Sequence, residues 1–512
     1  MATEAISAPQ VNRSEWAIVS CVTAAFTVAL TLWALLTPMF QAPDEVVHFD
    51  AAVRVAEGDS WPAPGEALFR AASLAAQDSI TTVPTADRPS WADLEAAHPG
   101  TTTDVNQMTQ HPPTYYLLAG TVLDTIDFTQ HRWDAGVLAL RLLDVVLVAP
   151  LPLLTWATVR RLTRSPRTAL VAATALFAVP QLAQIGASVT NDAPVILLGG
   201  VVVWLTTRVL TGDRTWRTTL VLGAALGLML AVKGTAFPAV PFVALAVLLG
   251  GTSTVPLRTR LLQTLGTGVV TAALGAWWWI GNLVRYGTIQ PNGLPRSFTP
   301  NPWPEGEGPN AGAFVNTEWN RLSASFWGQF GRLEFAMTPI LTDLLTVSCL
   351  LFVVWSAFRP GPRRRIAWVL ASFPLLTLLV LLQNNWSSYE RTQEISGAQG
   401  RYFFGALVAL VALAALGALT AIGSPVTRRR LARVVLVASP VIGAYGFSVA
   451  YRGFFEGTDL EITGLGVSNL LVTTPAGGGV FTVLVVLLAV TALASVVGTW
   501  RTVSPVGKEP RA

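Results

Sequence analysis

Lysine is nearly missing from this sequence. Of 34 basic residues only Lys233 and Lys508 are lysines; the rest are arginines. Charge of either sign is scarce as well, at 12% of 512 residues, about half the share of a soluble domain. The two cysteines, Cys21 and Cys349, both fall inside apolar stretches and suit packing better than a disulfide. No convincing repeat, heptad or nucleotide-binding Gly loop is present, and nucleic acid is not an expected partner. No small-residue cleavage site follows the first apolar run, so residues 16–38 read as a retained helix and not a removed signal peptide.

What the chain has in quantity is apolar length. Hydrophobic residues make up 52% of it, in recurring runs of about 20 that match a hydrocarbon core of about 30 Å. In lipid the backbone must satisfy its own hydrogen bonds, so such runs are helices. Spans are expected near 16–38, 134–158, 168–188, 193–210, 217–233, 235–251, 261–283, 337–358, 366–383, 402–422, 433–450 and 477–499. Residues 114–127 are too short to cross and read as a re-entrant or surface helix.

The connections alternate in charge. One set carries Arg160, Arg161, Arg164 and Arg167, then Arg208, Arg214 and Arg217, then Arg258 and Arg260, then Arg359 and Arg363 to Arg365, then Arg428 to Arg430 and Arg433. Arginine clustered in short loops marks the cytoplasmic side. The expected fold is therefore an all-α polytopic membrane protein with both termini cytoplasmic. Loops 39–133, 284–336, 384–401 and 451–476 then lie outside. Three sections follow: a transmembrane module over 1–290 that holds most of the candidate motifs, an external loop and possible lid over 291–336, and C-terminal helices with a short tail over 337–512.

The candidate chemistry gathers on the outer side. Pro43, Asp44, Glu45 and His48 follow the first span, and on a helix Asp44 and His48 share a face. Such carboxylates can act as a general base or hold a divalent metal ion, the one cofactor considered; Asp44, Glu45, His48 or Asp192 would be its ligands. They equally suit a helix N-terminus. His111 precedes two prolines and Tyr115 and Tyr116, which also fit an interfacial aromatic anchor. Asn191 and Asp192 occupy a short hairpin where capping would explain either. Lys233 stands in another outer hairpin, against the charge rule, in a chain that otherwise writes arginine. That suggests a need for a compact ammonium, with snorkelling as the ordinary alternative. Trp277 to Trp279 suit an aromatic belt, with Arg285 and Tyr286 just beyond. Arg401 and Tyr402 open a later span. Arg141 and Asp144, three apart inside a span, read as a structural pair, with a proton relay kept open.

Taken in order, the Pro43-Asp44-Glu45 motif with His48, HPPTYY at 111–116, Asn191-Asp192, Lys233, WxxGNxxxYG at 278–287 and GRYF at 400–403 resemble a bacterial family of multi-span proteins similar to the GT-C superfamily of glycosyltransferases. The likeness is strongest over residues 16–290. It implies transfer of a sugar from a polyprenyl-phosphate donor to a cell-envelope glycan, lipid or protein. Asp44 would be the base, Glu45 and His48 its neighbours, and Asp192 would orient donor or acceptor. Lys233 and Arg401 would hold the phosphate, with inversion at the anomeric carbon. The remaining substrate-binding candidates are His111, Tyr115, Asn191, Arg285 and Tyr402. His111 departs from the aminoarabinose-transferase pattern, which has lysine there, so a phosphate grip does not carry over to it.

Two other classes share this build: a transporter or flippase for lipid-linked glycans, and a non-catalytic envelope-assembly protein. A transporter site would sit near the bilayer midplane, whereas these ionisable residues collect at one surface. The arginine- and alanine-rich usage points to a high-GC bacterium, such as an actinobacterium with a complex envelope.

Overall fold

The computed structural model describes residues 10–79, 83–250, 255–294, 300–361, 363–457 and 461–503. Lys508 lies outside them. The chain is helical almost throughout, and each stop has a local cause. Asn12 caps the first long helix, Arg13–Leu36, by accepting from the Glu15 amide at 2.7 Å. Ser165 and Ser424 cap helices that carry proline in the first turn, where its missing N–H costs nothing.

Among the described residues, eight helices are long and apolar enough to cross a membrane. Four of the twelve expected spans take another form. Residues 168–188 become Pro166–Thr174, a 3-10 turn and Pro180–Ile185, because Pro180 interrupts the ladder. Residues 217–233 and 235–251 shorten to Trp216–Leu230 and Ala239–Leu249, ending on either side of Lys233. Residues 261–283 lie within Leu257–Tyr286, which has the length but falls outside the apolar set. The expected span 134–158 bends at Pro150 into Trp133–Val148 and Leu151–Thr163.

Glycine lets two pairs of helices meet backbone to backbone. A β-carbon at Gly199 would overlap the carbonyl of Gly405, and one at Gly417 would overlap that of Phe352. The first contact seats the 3-10 helix Gly400–Ala406 against the helix Asp192–Leu210. Cys21 and Cys349 are free thiols, and Cys21 packs between the first helix and the last, 3.5 Å from the Thr491 carbonyl.

The described residues of the 39–133 loop form a layer of short elements. It holds the helix Glu45–Ala56, a two-stranded antiparallel sheet pairing Leu68 with Val105 and Arg70 with Thr101, and the helix Thr114–Thr125. Twelve residues rise about 18 Å, too little to cross a bilayer. The Thr114–Thr125 helix is two-faced: Tyr115 and Tyr116 are buried on one side, while Leu117 and Leu118 are 54% and 44% exposed on the other. Further on, Asn310 caps the helix Ala311–Trp327, whose Ser325 accepts from the Gly400 amide at 2.8 Å.

Candidate active site

Four chain segments meet around Asp44. The turn leaving the first span is bent back by Phe40 and Asp44, both in the left-handed region at φ 61° and 59°. Aspartate tolerates that region; phenylalanine does so at a cost that the surroundings must offset. Here the offset is visible. The Phe40 amide donates to Glu45 Oε2 at 2.9 Å, and its carbonyl accepts from Arg332 Nε at 3.2 Å.

Glu45 is spent on this scaffold. Arg141 grips it through Nε and Nη2 at 2.7 Å each, and the Val189 amide donates to it at 3.1 Å. Arg141 also donates to the carbonyls of Ala34, Thr37 and Pro38. The expected Arg141–Asp144 pair does not form. Asp144 instead accepts from Tyr115 Oη and the Thr190 amide, both at 2.9 Å. The two ionisable residues Arg141 and Asp144 of one span therefore reach different partners, and Arg141, Glu45 and Asp144 together hold the 189–190 hairpin beside the Asp44 turn. This leaves Glu45 no oxygen for catalysis or metal binding.

Asp44 is the accessible carboxylate. Its side chain is 36% exposed, and Oδ2 accepts from Arg401 Nη2 at 2.5 Å. Burial alone would raise its pKa, but the Arg401 charge and hydrogen bond outweigh that and hold the carboxyl below the usual range. Asp192, at the first turn of its helix, accepts from Lys233 Nζ at 2.5 Å, and its Oδ2 lies 3.7 Å from Arg401 Nε. Lys233 is buried and does not snorkel; it sits on extended backbone between two helices, 6.0 Å from the Tyr402 ring. The Arg401 guanidinium lies 5.7 Å from the same ring.

A neutral wall adjoins these charges. His48 Nδ1 is 2.9 Å from Tyr116 Oη, to which Asn191 Nδ2 donates at 3.4 Å. Asn191 makes no capping bond. Trp61 stacks on Tyr116 at 4.9 Å. Burial, with the Lys233 charge behind it, pushes both His48 and His111 down to about 3, so each imidazole is neutral at physiological pH. Tyr116 was not among the expected site residues. Its signal was the pair of adjacent tyrosines opening a short helix, both of which turn out to face inward.

Several polar atoms around this wall are buried without a hydrogen-bond partner among the described residues: His111 Nδ1, Asn191 Oδ1, Asp192 Oδ2, and Arg401 Nε and Nη1. Such atoms are costly unless something binds them. Arg285 is not brought in; it stands on the exposed last turn of its helix. Trp279 is no belt residue either, since its Nε1 donates inward to the Leu230 carbonyl at 3.0 Å. The expected divalent ion finds an unsuitable donor set. Asp44 and Asp192 already pair with cations, and no group of three His, Cys, Asp or Glu residues among those described is placed to hold a metal.

A family model described as "Predicted membrane protein (DUF2142)" matches residues 26–411. No curated protein matches the sequence. Among solved structures, ArnT from Cupriavidus metallidurans bound to undecaprenyl phosphate is similar over 96% of this chain and 77% of that one, at 18% identity and a TM-score of 0.47. The apo form of that protein aligns over 95% and 77%, at 16% identity and 0.48. The Archaeoglobus fulgidus oligosaccharyltransferase tethered to an acceptor peptide aligns over 95% of this chain and 55% of its own, at 13% identity and 0.42.

Proposed function

The chain belongs to the DUF2142 family of membrane proteins, and from that footing we propose that it is a glycosyltransferase of GT-C type. It moves a sugar from a polyprenyl-phosphate donor to a hydroxyl of a cell-envelope acceptor, on the extracytoplasmic face of the plasma membrane. One observation carries the reading. Asp44, Asp192, Lys233 and Arg401, which the ordered motifs single out across more than 350 residues, form one linked set of ion pairs with an accessible carboxylate at its rim.

Asp44 accepts the proton of the acceptor hydroxyl as that oxygen bonds the anomeric carbon. The bond from that carbon to the phosphate oxygen breaks with its electron pair, and the polyprenyl phosphate departs with an added negative charge. Lys233 and Arg401 stabilise that charge, as oriented cations in a dry site do best. A phosphate leaving group needs little acid assistance, so neutral His48 and His111 serve as hydrogen-bonding walls. Asp192 keeps Lys233 in position, and no step passes through a metal. The sugar and the acceptor follow from chemistry outside the cluster.

The test is sugar transfer by the purified protein from a panel of polyprenyl-phosphate sugars, alongside the Asp44→Asn variant. The substitution removes basicity, and asparagine tolerates the left-handed backbone. Loss of a general base lowers the rate by about 10²–10⁴. Transfer by Asp44→Asn at the unaltered rate would remove Asp44 from the mechanism. Cells without the protein should accumulate one polyprenyl-phosphate sugar, which names the donor.

A further inference from the structure

Arg401 has more donors than the structure uses. Its guanidinium offers five N–H groups in a planar fork that suits phosphate oxygens. Among the described residues, only Nη2 makes a hydrogen bond, to Asp44; Nε and Nη1 are buried and find no acceptor there. Its side chain is 5% exposed, against 36% for Asp44. The tie is thus end-on, between a fixed cation and a carboxylate standing at the rim.

The charges of the cluster also cancel. Asp44 and Asp192 oppose Lys233 and Arg401, and the adjoining imidazoles of His48 and His111 are neutral. An incoming anion can hydrogen-bond the unused edge of Arg401, but it gains a net excess of positive charge only by displacing a carboxylate. Asp192 is 6% exposed and is held by Lys233, with Arg401 Nε on its other side. Asp44 is the one with room to leave.

We propose that the Asp44–Arg401 ion pair is an exchange lock: a phosphate group seated on the unused edge of Arg401 takes that cation from Asp44, and the released carboxylate becomes the proton acceptor. This rests on the reading of the site as one that handles a lipid-linked phosphate. While paired, Asp44 is a weak base; once parted from Arg401, its carboxyl loses the largest influence that lowers its pKa, and burial, which favours the protonated form, is opposed only by the smaller pulls of His48 and Lys233. Seating the phosphate therefore precedes proton transfer, and the donor binds before the acceptor reacts. The exchange makes and breaks no covalent bond.

The experiment is a binding titration of the full chain in lipid nanodiscs with a short-chain isoprenyl phosphate, with inorganic phosphate as the second probe. Asp44→Asn should bind isoprenyl phosphate about tenfold tighter than the unaltered chain, the scale of one charge-assisted contact. Arg401→Gln should bind it at least tenfold more weakly. Unchanged or weaker binding by both Asp44→Asn and a second variant, Asp44→Ser, overturns the lock, with thermal melting to confirm that each is folded. Equal gains for the two probes would assign the site to free phosphate, and a gain confined to the isoprenyl ester assigns it to a lipid headgroup. None of this requires turnover. Tighter binding by Asp44→Asn in a protein that transfers no sugar from any donor would keep the lock and discard the transferase. A working transferase without the gain would do the reverse.

Discussion

Arg141 and Glu45 make two hydrogen bonds of 2.7 Å to each other, with neither side chain exposed to solvent. The pair joins the end of the first span, the Asp44 turn and the Asp192 hairpin, so it sets the distance between the two site carboxylates. Removing one partner of a buried ion pair costs about 3–5 kcal/mol. Arg141→Met should cost more than Glu45→Gln, because it also orphans three carbonyls and leaves an unpaired buried carboxylate. Melting in detergent checks the order; a smaller loss for Arg141→Met would mean the pair is not the scaffold.

Lys233 offers a second comparison. Its ammonium contacts Asp192 at 2.5 Å in a buried setting. Lys233→Met keeps the stem and deletes the charge, with an expected loss of about one to two decades in donor use, the worth of one charge-assisted contact. Lys233→Arg should rescue poorly, since a planar fork does not fit a point-charge site. Transfer rates of both variants, normalised to folded protein, decide it; full activity in both would make Lys233 an anchor only.

The histidines predict how stability varies with pH. His48 and His111 are held near 3 in the folded chain, whereas an unfolded histidine titrates near 6.5. As pH falls below 6.5 the unfolded chain gains protons that the folded one refuses, so stability is lost from there down towards 3. The slope is about 1.4 kcal/mol per pH unit for each histidine. Melting temperatures between pH 7 and pH 4.5 should fall, less steeply in His111→Asn. Between pH 5 and 8 neither imidazole should add an inflection to the transfer rate.

Topology has its own check. With Cys21 and Cys349 replaced, a cysteine at exposed Ser60 should react with an impermeant maleimide in intact, wall-permeabilised cells. One at exposed Ser424, beside Arg428 to Arg430, should react only after lysis. The opposite pattern would invert the assigned orientation.

The sequence named the members of the ion-pair cluster better than their partners. Asp44, Asp192, Lys233 and Arg401 stood out because each breaks a local rule: charge beside a span, or lysine in an arginine chain. Who holds whom was not legible, because Arg401 meets Asp44 across 357 residues. Glu45 and Asp44 look alike as neighbours. Only the fold shows that one side chain points into Arg141 and the other towards the opening. Arg141 and Asp144 suggested a pair by their spacing, but two loops outcompete that local contact. The all-helical architecture was written in the apolar runs. Its breaks at Pro150 and Pro180 were not, since hydropathy averages over a kink.

The two-faced Thr114–Thr125 helix fixes how far the chemistry stands from apolar surroundings. Leu117 and Leu118 face outward, and its tyrosines line the wall that His48 and Asp144 complete. One helix with its side chains is about 10–12 Å thick. Where lipid covers those leucines, that width separates the acyl chains from the reacting centre. On the proposed reading, a prenyl tail would stay dissolved in the bilayer while its phosphate reaches Arg401, and an acceptor would have to come down to the headgroup plane, so that reach, as much as recognition, would select the hydroxyl that reacts.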